Sequence, residues 1–241
     1  MIYILIPIFN EEDNIPNLFR EISGVLPNEE KFFVFADDGS NDRSIELLKF
    51  YFEKINYHII GDGINRGPGA AFNSGFEWIL NHSENPNDII ATLESDCTSD
   101  IKLLPKMVAI NRIGYDLVLA SVYAQGGGFD ETNWFRKFLS AFANLLFRFL
   151  FDIKVLTLSS FYRVYSIEIL KKIKKSNREI ISEKGFICML EILTKAIKEN
   201  ASIVELPMIL YSKKRVGKSK MKVFKTTLAY FRFLIKKNKT F

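Results

Sequence analysis

The run Ile89-Ile-Ala-Thr-Leu93 empties directly into Glu94-Ser95-Asp96. Two carboxylates one residue apart at the end of an apolar run repel each other unless water solvates them or they share a cation. Such a pair suits a hard divalent ion, which prefers oxygen ligands. It also suits a plain polar turn ahead of a helix capped by Ser99 or Asp100. Placement must decide, and three more polar clusters share that placement. Pro7-Ile-Phe9-Asn10-Glu11-Glu-Asp13 follows one β-forming run, Asp37-Asp38-Gly-Ser-Asn-Asp42 a second, and Gly61-Asp-Gly-Ile-Asn-Arg66-Gly67-Pro-Gly69 a third.

The elements behind these clusters alternate. Residues 2–9, 31–36, 57–60, 88–94 and 116–121 read as strands, and 14–26, 44–55, 69–82 and 105–111 as helices. Strands separated by helices of this length imply right-handed βαβ units and a mostly parallel sheet. Ligands of such sheets bind outside the carboxyl ends of the strands. All four clusters fall on that edge, a coincidence that outweighs any single acidic triplet.

With 241 residues, 48% of them hydrophobic, the chain can bury one substantial core. No Pro/Gly/Ser linker, internal repeat or low-complexity run divides it. Cys97 and Cys188 are too few for a disulfide framework, and "MIYILIPIF" is too short for a signal segment, so a cytoplasmic body is expected. Cys97 reads as an ordinary small residue, and His58 and His82 lack partners at metal-ligand spacing. The net charge of +5 is uneven: residues 213–241 carry eleven Lys or Arg and no acid, leaving 22 bases against 28 acids elsewhere. That distribution speaks against a nucleic-acid-binding domain, for which no motif is present. It suits an anionic membrane surface or a phosphate-bearing ligand.

In order and spacing, "LIPIFNEEDNI", "DDGSND", "NRGPGAAFNSG", "ESD", "WFRKFLSAFAN", "SSFYRVY", "EKGFICMLE" and "RVGKSKM" resemble the family 2 glycosyltransferases of GT-A fold. The resemblance is to the branch of dolichyl-phosphate mannose synthase and bacterial polyprenyl-phosphate sugar transferases. It implies an α/β GT-A domain, Rossmann-like with a mostly parallel central sheet and flanking helices, over residues 1–212. A basic loop and an amphipathic, membrane-proximal helix would occupy 213–241.

The resemblance also implies roles. Pro7, Phe9, Asn10 and Glu11 would cradle the nucleotide base, with Phe9 where a Tyr is usual, and Asp37 and Asp38 would bind base and ribose. Arg66, Gly67 and Ser95 would lie against the nucleotide sugar. Glu94 and Asp96 would hold Mg2+ or Mn2+, Asp96 as the direct ligand. Arg215 and Lys220, on a loop, would close over the diphosphate. Each has a plainer alternative: a turn with a helix cap for 38–42, a helix start packed on the sheet for Gly67, a solvated basic turn for 213–220.

The acceptor side rests on Arg136, Ser140 and Asn144, spaced by four so that they share a helix face. Phe135, Phe138, Phe142, Leu145 and Phe149 form an opposite apolar stripe suited to acyl chain or membrane. Arg163 would help Arg136 and Ser140 position a lipid phosphate, which needs no general base because its second pKa is about 6. For a sugar-hydroxyl acceptor a base is required, and Glu191 is the candidate; its alternative is an ion pair with Lys195 one turn on. Met221, Phe224, Leu228, Phe231 and Ile235 give the last helix an apolar stripe, read as attachment to the cytoplasmic face of an anionic membrane. The expected activity is inverting hexose transfer from a UDP- or GDP-sugar to polyprenyl phosphate. Extension of a cell-surface glycan on a hydroxyl acceptor, and a non-catalytic nucleotide-sugar-binding protein, are the alternatives.

Overall fold

A computed structural model describes residues 1–130, 141, 144–150, 153–217, 229–230 and 232–233. Nine strands and six helices carry the argument: β1 (Ile2–Ile8), α1 (Ile15–Ile22), β2 (Lys31–Asp37), α2 (Ser44–Phe52), β3 (Tyr57–Ile60), α3 (Pro68–His82), β4 (Ile89–Thr92), α4 (Leu104–Arg112), β5 (Leu117–Ser121), β6 (Gly128–Asp130), β7 (Arg163–Ser166), α5 (Ile167–Ser176), α6 (Cys188–Lys198), β8 (Ile203–Pro207) and β9 (Ile209–Tyr211). Residues 144–150 are also helical.

The main sheet runs β3-β2-β1-β4-β7-β5-β8, and β6 pairs with β9 in a second, two-stranded sheet. β1, β2, β3 and β4 are mutually parallel, as the alternation requires. β7 was not foreseen as a strand. It enters antiparallel between β4 and β5, and its leading residue is a fully buried arginine, which hides it from any reading based on apolar runs.

Alternate residues of β1 feed two cores. Tyr3 and Leu5 face α3, α5 and α6 through Phe72, Phe76, Leu170 and Leu193. Ile2, Ile4, Ile6 and Ile8 face α1, α2 and α4 through Ile15, Leu18, Phe52 and Met107. The result is a sheet covered on both faces, which is why its strands are apolar throughout. Gly75 lets α3 press onto the sheet, since a Cβ there would sit 2.2 Å from Leu5 Cδ1.

α1 stops at Ile22, short of the expected Leu26. Leu26 takes φ 55°, and the Lys31 ammonium donates to the carbonyls of Ser23 and Val25, capping the helix end. At the other end of the chain, Tyr230 is 7% exposed and packs on Phe147 with ring centroids 4.6 Å apart. Here Ala229, Tyr230 and Phe233 dock on the main core. Phe224, Leu228 and the rest of the expected apolar stripe lie outside the described residues.

Candidate active site

Register brings the polar clusters together. Ile8 pairs with Asp37, Ala36 with Ile60, and Leu5 with Thr92, so the carboxyl ends of β1 to β4 open on one edge. The first two loops are laced into one cradle. Asn10, at φ 51°, donates its amide to Ser40 Oγ at 3.0 Å and accepts from the Asn41 amide at 2.8 Å. The Glu11 amide reaches Ser44 Oγ at 2.7 Å, and that of Glu12 reaches Asp42 Oδ2 at 3.1 Å. Pro7 and Phe9, half-buried, complete this wall.

The two aspartates of the second cluster part company. Asp37 is half-buried at the edge and accepts from the Ser40 amide. Asp38 is buried and accepts from the Arg66 amide at 2.7 Å and the Gly67 amide at 2.9 Å. Burial pushes its pKa up, and those two amides pull it back. Asp38 thereby pins the loop entering α3. Gly67, at φ 95°, must be glycine, because a Cβ would lie 2.4 Å from Lys184 O. The Arg66 side chain, expected on phosphate, pairs with Asp62 at 2.6 Å on the surface.

At the end of β4 the acidic pair also divides. Glu94 accepts from Ser99 Oγ at 2.7 Å and from the Phe161 amide at 3.2 Å. Burial, then the nearby Asp96 charge, raise its pKa. Both of its oxygens are engaged inside the protein, where they brace the end of β4 against the chain before β7. Ser95 is buried beside it. Cys97, at φ 59°, has its thiol pushed up to about 12 by burial, which makes it inert, as expected of an ordinary small residue. Asp96 is the acid that faces a cation. Its Oδ1 accepts from the Thr98 amide and from Thr98 Oγ1 at 2.7 Å, and its Oδ2 accepts from Arg215 Nε at 2.7 Å, with Nη2 also in contact. Asp96 already takes a positive group, so a divalent cation fits its chemistry. Among the described residues no group of three or more His, Cys, Asp or Glu could hold a metal ion.

The basic segment lies across this edge. The β9 residue Tyr211 donates its amide to Thr98 O at 2.8 Å, which delivers residues 212–217 to the β4 loop. Lys214 pairs with Glu21 at 2.6 Å. Asn14 binds Val216 twice, accepting from its amide at 3.0 Å and donating to its carbonyl at 3.2 Å, while also donating to Glu11 Oε2 at 2.6 Å. Asn14 was missed. Its one local signal is a side chain at a helix start that caps nothing there. Lys220 lies outside the described residues.

On the acceptor side, Arg136 and Ser140 also lie outside the described residues, and Asn144 donates to Leu156 O. Arg163 is fully buried: its guanidinium donates to the carbonyls of Ser160, Met189 and Leu158 at 2.8–2.9 Å. Expected on the acceptor phosphate, it instead satisfies carbonyls inside the fold. Glu191 is 3% exposed, accepts from the amides of Ser182 and Glu183 and from Ser182 Oγ, and pairs with Lys195 at 2.8 Å. The plainer alternative holds for it. These donors take up its lone pairs and hold the 182–184 turn against the start of α3.

Polyprenol monophosphomannose synthase of Mycolicibacterium smegmatis is 28% identical over 90% of this chain and 80% of its own length. Dolichol-phosphate mannosyltransferase of Pyrococcus furiosus is 26% identical over 96% of this chain, which spans 62% of that relative. Glucosyl-3-phosphoglycerate synthase from Mycobacterium tuberculosis, solved with Mn2+, UDP and glucosyl-3-phosphoglycerate, superposes with a TM-score of 0.65 at 17% identity, over 98% of this chain and 77% of that one. This likeness shows the GT-A fold. A family model described as Glycosyl transferase family 2 matches residues 3–174, from β1 into α5. That span contains the laced β1 and β2 loops, the pinned entry to α3 and the β4 acid, and the chain belongs to glycosyl transferase family 2 and is a glycosyltransferase.

Proposed function

We propose that the protein transfers a hexose, with inversion, from a UDP- or GDP-sugar to polyprenyl phosphate. The observation that supports this reading is that the carboxylate of Glu191, the candidate base, is bonded to the amides of Ser182 and Glu183 and paired with Lys195. An acceptor that must lose a proton would need a base there. A phosphate monoester does not, being largely ionised at neutral pH with a second pKa of about 6. The names of the two sequence relatives, both acting on polyprenol or dolichol phosphate, support the same acceptor.

In this reading Phe9 stacks on the base and Asp37 accepts from it. Asp96 would hold Mg2+ or Mn2+, which supplies positive charge to the diphosphate. Arg215 and Lys220 neutralise the diphosphate from the basic loop, and Arg136, Ser140 and Asn144 orient the acceptor phosphate. One acceptor oxygen attacks the anomeric carbon from the side opposite the diphosphate. The new carbon–oxygen bond forms as the old one breaks, and the nucleoside diphosphate leaves with the electron pair.

A peripheral position on the cytoplasmic face of the membrane completes the reading. Leu145 and Phe149, one turn apart, are 61% and 82% exposed. Among the described residues no helix is long and apolar enough to cross a bilayer.

The test is transfer of labelled glucose or mannose from UDP- and GDP-sugars to short polyprenyl phosphate and to the matching polyprenol in anionic vesicles. Product with the phosphate alone is expected. Transfer to hydroxyl acceptors only would establish the glycan-extending alternative.

A further inference from the structure

We propose that Arg215 is a resident counter-cation for Asp96, held there by Asn14, and that it couples metal entry to nucleoside-diphosphate entry. The inference rests on Asp96 being the metal-binding acid of the proposed function.

Asp96 has no acceptor capacity to spare. Two bonds from Thr98 meet Oδ1, and two nitrogens of Arg215 meet Oδ2. A carboxylate offers about four acceptor positions, so these contacts fill it. The pair is largely withdrawn from water, with the Arg215 and Asp96 side chains 31% and 13% exposed. A divalent ion on Oδ2 would meet the guanidinium at contact distance, and like charges so placed repel strongly. Metal and Arg215 are therefore alternative occupants.

The loop is tied on both sides of Arg215. Lys214 is bound to Glu21 of α1, and Val216 is bound through both of its backbone groups to Asn14. Asn14 is 4% exposed, and the same amide reaches Glu11 of the nucleotide cradle. The side chain thus imitates a strand neighbour for Val216 and links the cradle to the loop. Without it, the chain after Arg215 loses both backbone bonds to residue 14, and the Lys214–Glu21 ion pair before Arg215 remains.

A nucleoside diphosphate carries more negative charge than Asp96 and can meet Arg215 on two oxygens, where Asp96 offers it Oδ2 alone. Its arrival draws Arg215 away and vacates Oδ2. Each ligand then tightens the other by the same factor, as linkage requires. Metal alone is disfavoured, and metal with diphosphate is favoured.

The experiment measures Mn2+ binding to the full chain by electron paramagnetic resonance of the free ion, alone and with UDP or GDP. It compares the parent with Arg215→Gln and Asn14→Ala, thermal melts confirming that each is folded. With Mn2+ alone, Arg215→Gln should bind about two- to fivefold more tightly than the parent, the range of a partly exposed ion pair. With Mn2+ present, it should bind the nucleoside diphosphate about tenfold more weakly. Asn14→Ala keeps the arginine but unties the loop, so Mn2+ alone should again bind more tightly than in the parent. Unchanged or weaker Mn2+ binding by both variants, while the parent binds Mn2+ with nucleotide, would overturn the counter-cation and leave the metal role of Asp96 standing. Absence of Mn2+ binding in all three, even with nucleotide, would remove both.

Discussion

The Gly67 amide donates to both oxygens of Asp38 at 2.9 Å, across 29 positions of sequence. This bond commits the second aspartate of the cluster to the fold, while the first, Asp37, stays half-buried at the sheet edge and accepts from the Ser40 amide. Asp38→Ala should therefore cost about 1–3 kcal/mol of stability, because the Arg66 and Gly67 amides lose their partner. Asp37→Ala should cost less than about 1 kcal/mol and should weaken nucleotide binding. Urea unfolding and calorimetric titration with UDP and GDP, run on both variants, check the division. Equal stability losses would contradict it.

Asp96 and Cys97 are neighbours with opposite expectations. Asp96→Asn removes the charge that meets a cation, and metal-dependent diphosphate binding should fall about tenfold or more. Cys97→Ser should leave it unchanged, because burial keeps the thiol protonated. Fluorescence titration with and without chelator reads both. Asp96→Asn binding as the parent does under either condition would end the assignment.

Glu94 gives a pH dependence with a definite sign. Its carboxyl pKa is raised in the folded protein by burial and by Asp96. The folded state therefore holds the proton more tightly than the unfolded chain does. The stability this contributes is complete below the ordinary value of 4.5 and is lost as pH rises through the raised folded value. Glu94→Gln cannot ionise and still offers an oxygen to the Phe161 amide and an NH2 to Ser99. Relative to the parent, it should gain stability as pH is raised from 4 to 7 in chelator. Thermal melts across that range test this, and a gap that narrows with pH would refute it.

Glu191 acts on the site through the turn it holds. Glu191→Gln leaves Lys195, itself only 15% exposed, without its carboxylate, and should cost about 1.5–3 kcal/mol. The folded fraction should keep transfer to a phosphate acceptor within about threefold of the parent, because no base is lost. Gly69→Ala attacks the same contact from the other side, placing a Cβ 1.9 Å from Glu183 O, and should cost about 1–3 kcal/mol. Denaturant melts give both stabilities. A folded Glu191→Gln with no turnover would restore Glu191 as a base and favour a hydroxyl acceptor.

The amino-acid sequence alone determined the sheet edge and the four loops on it. Apolar runs, turn residues and βαβ chirality are local or nearly local properties. They set β1 to β4 parallel and send every polar cluster to one side. The family followed from the order of those clusters. Tertiary structure alone decided which charged groups are bonded inside the fold, because that depends on partners far away in the chain. Asp38 meets an amide 28 residues on, Glu94 one 67 residues on, and Asp96 a guanidinium 119 residues on. Arg163 and Glu191 match the expected motifs in type and position. Packing surrounds the arginine with carbonyls and the glutamate with N–H donors, and a buried charge must spend its bonds where it lies. Asn14 shows the reverse: an ordinary residue at a helix start becomes the tie between two loops only when residue 216 is folded back onto it.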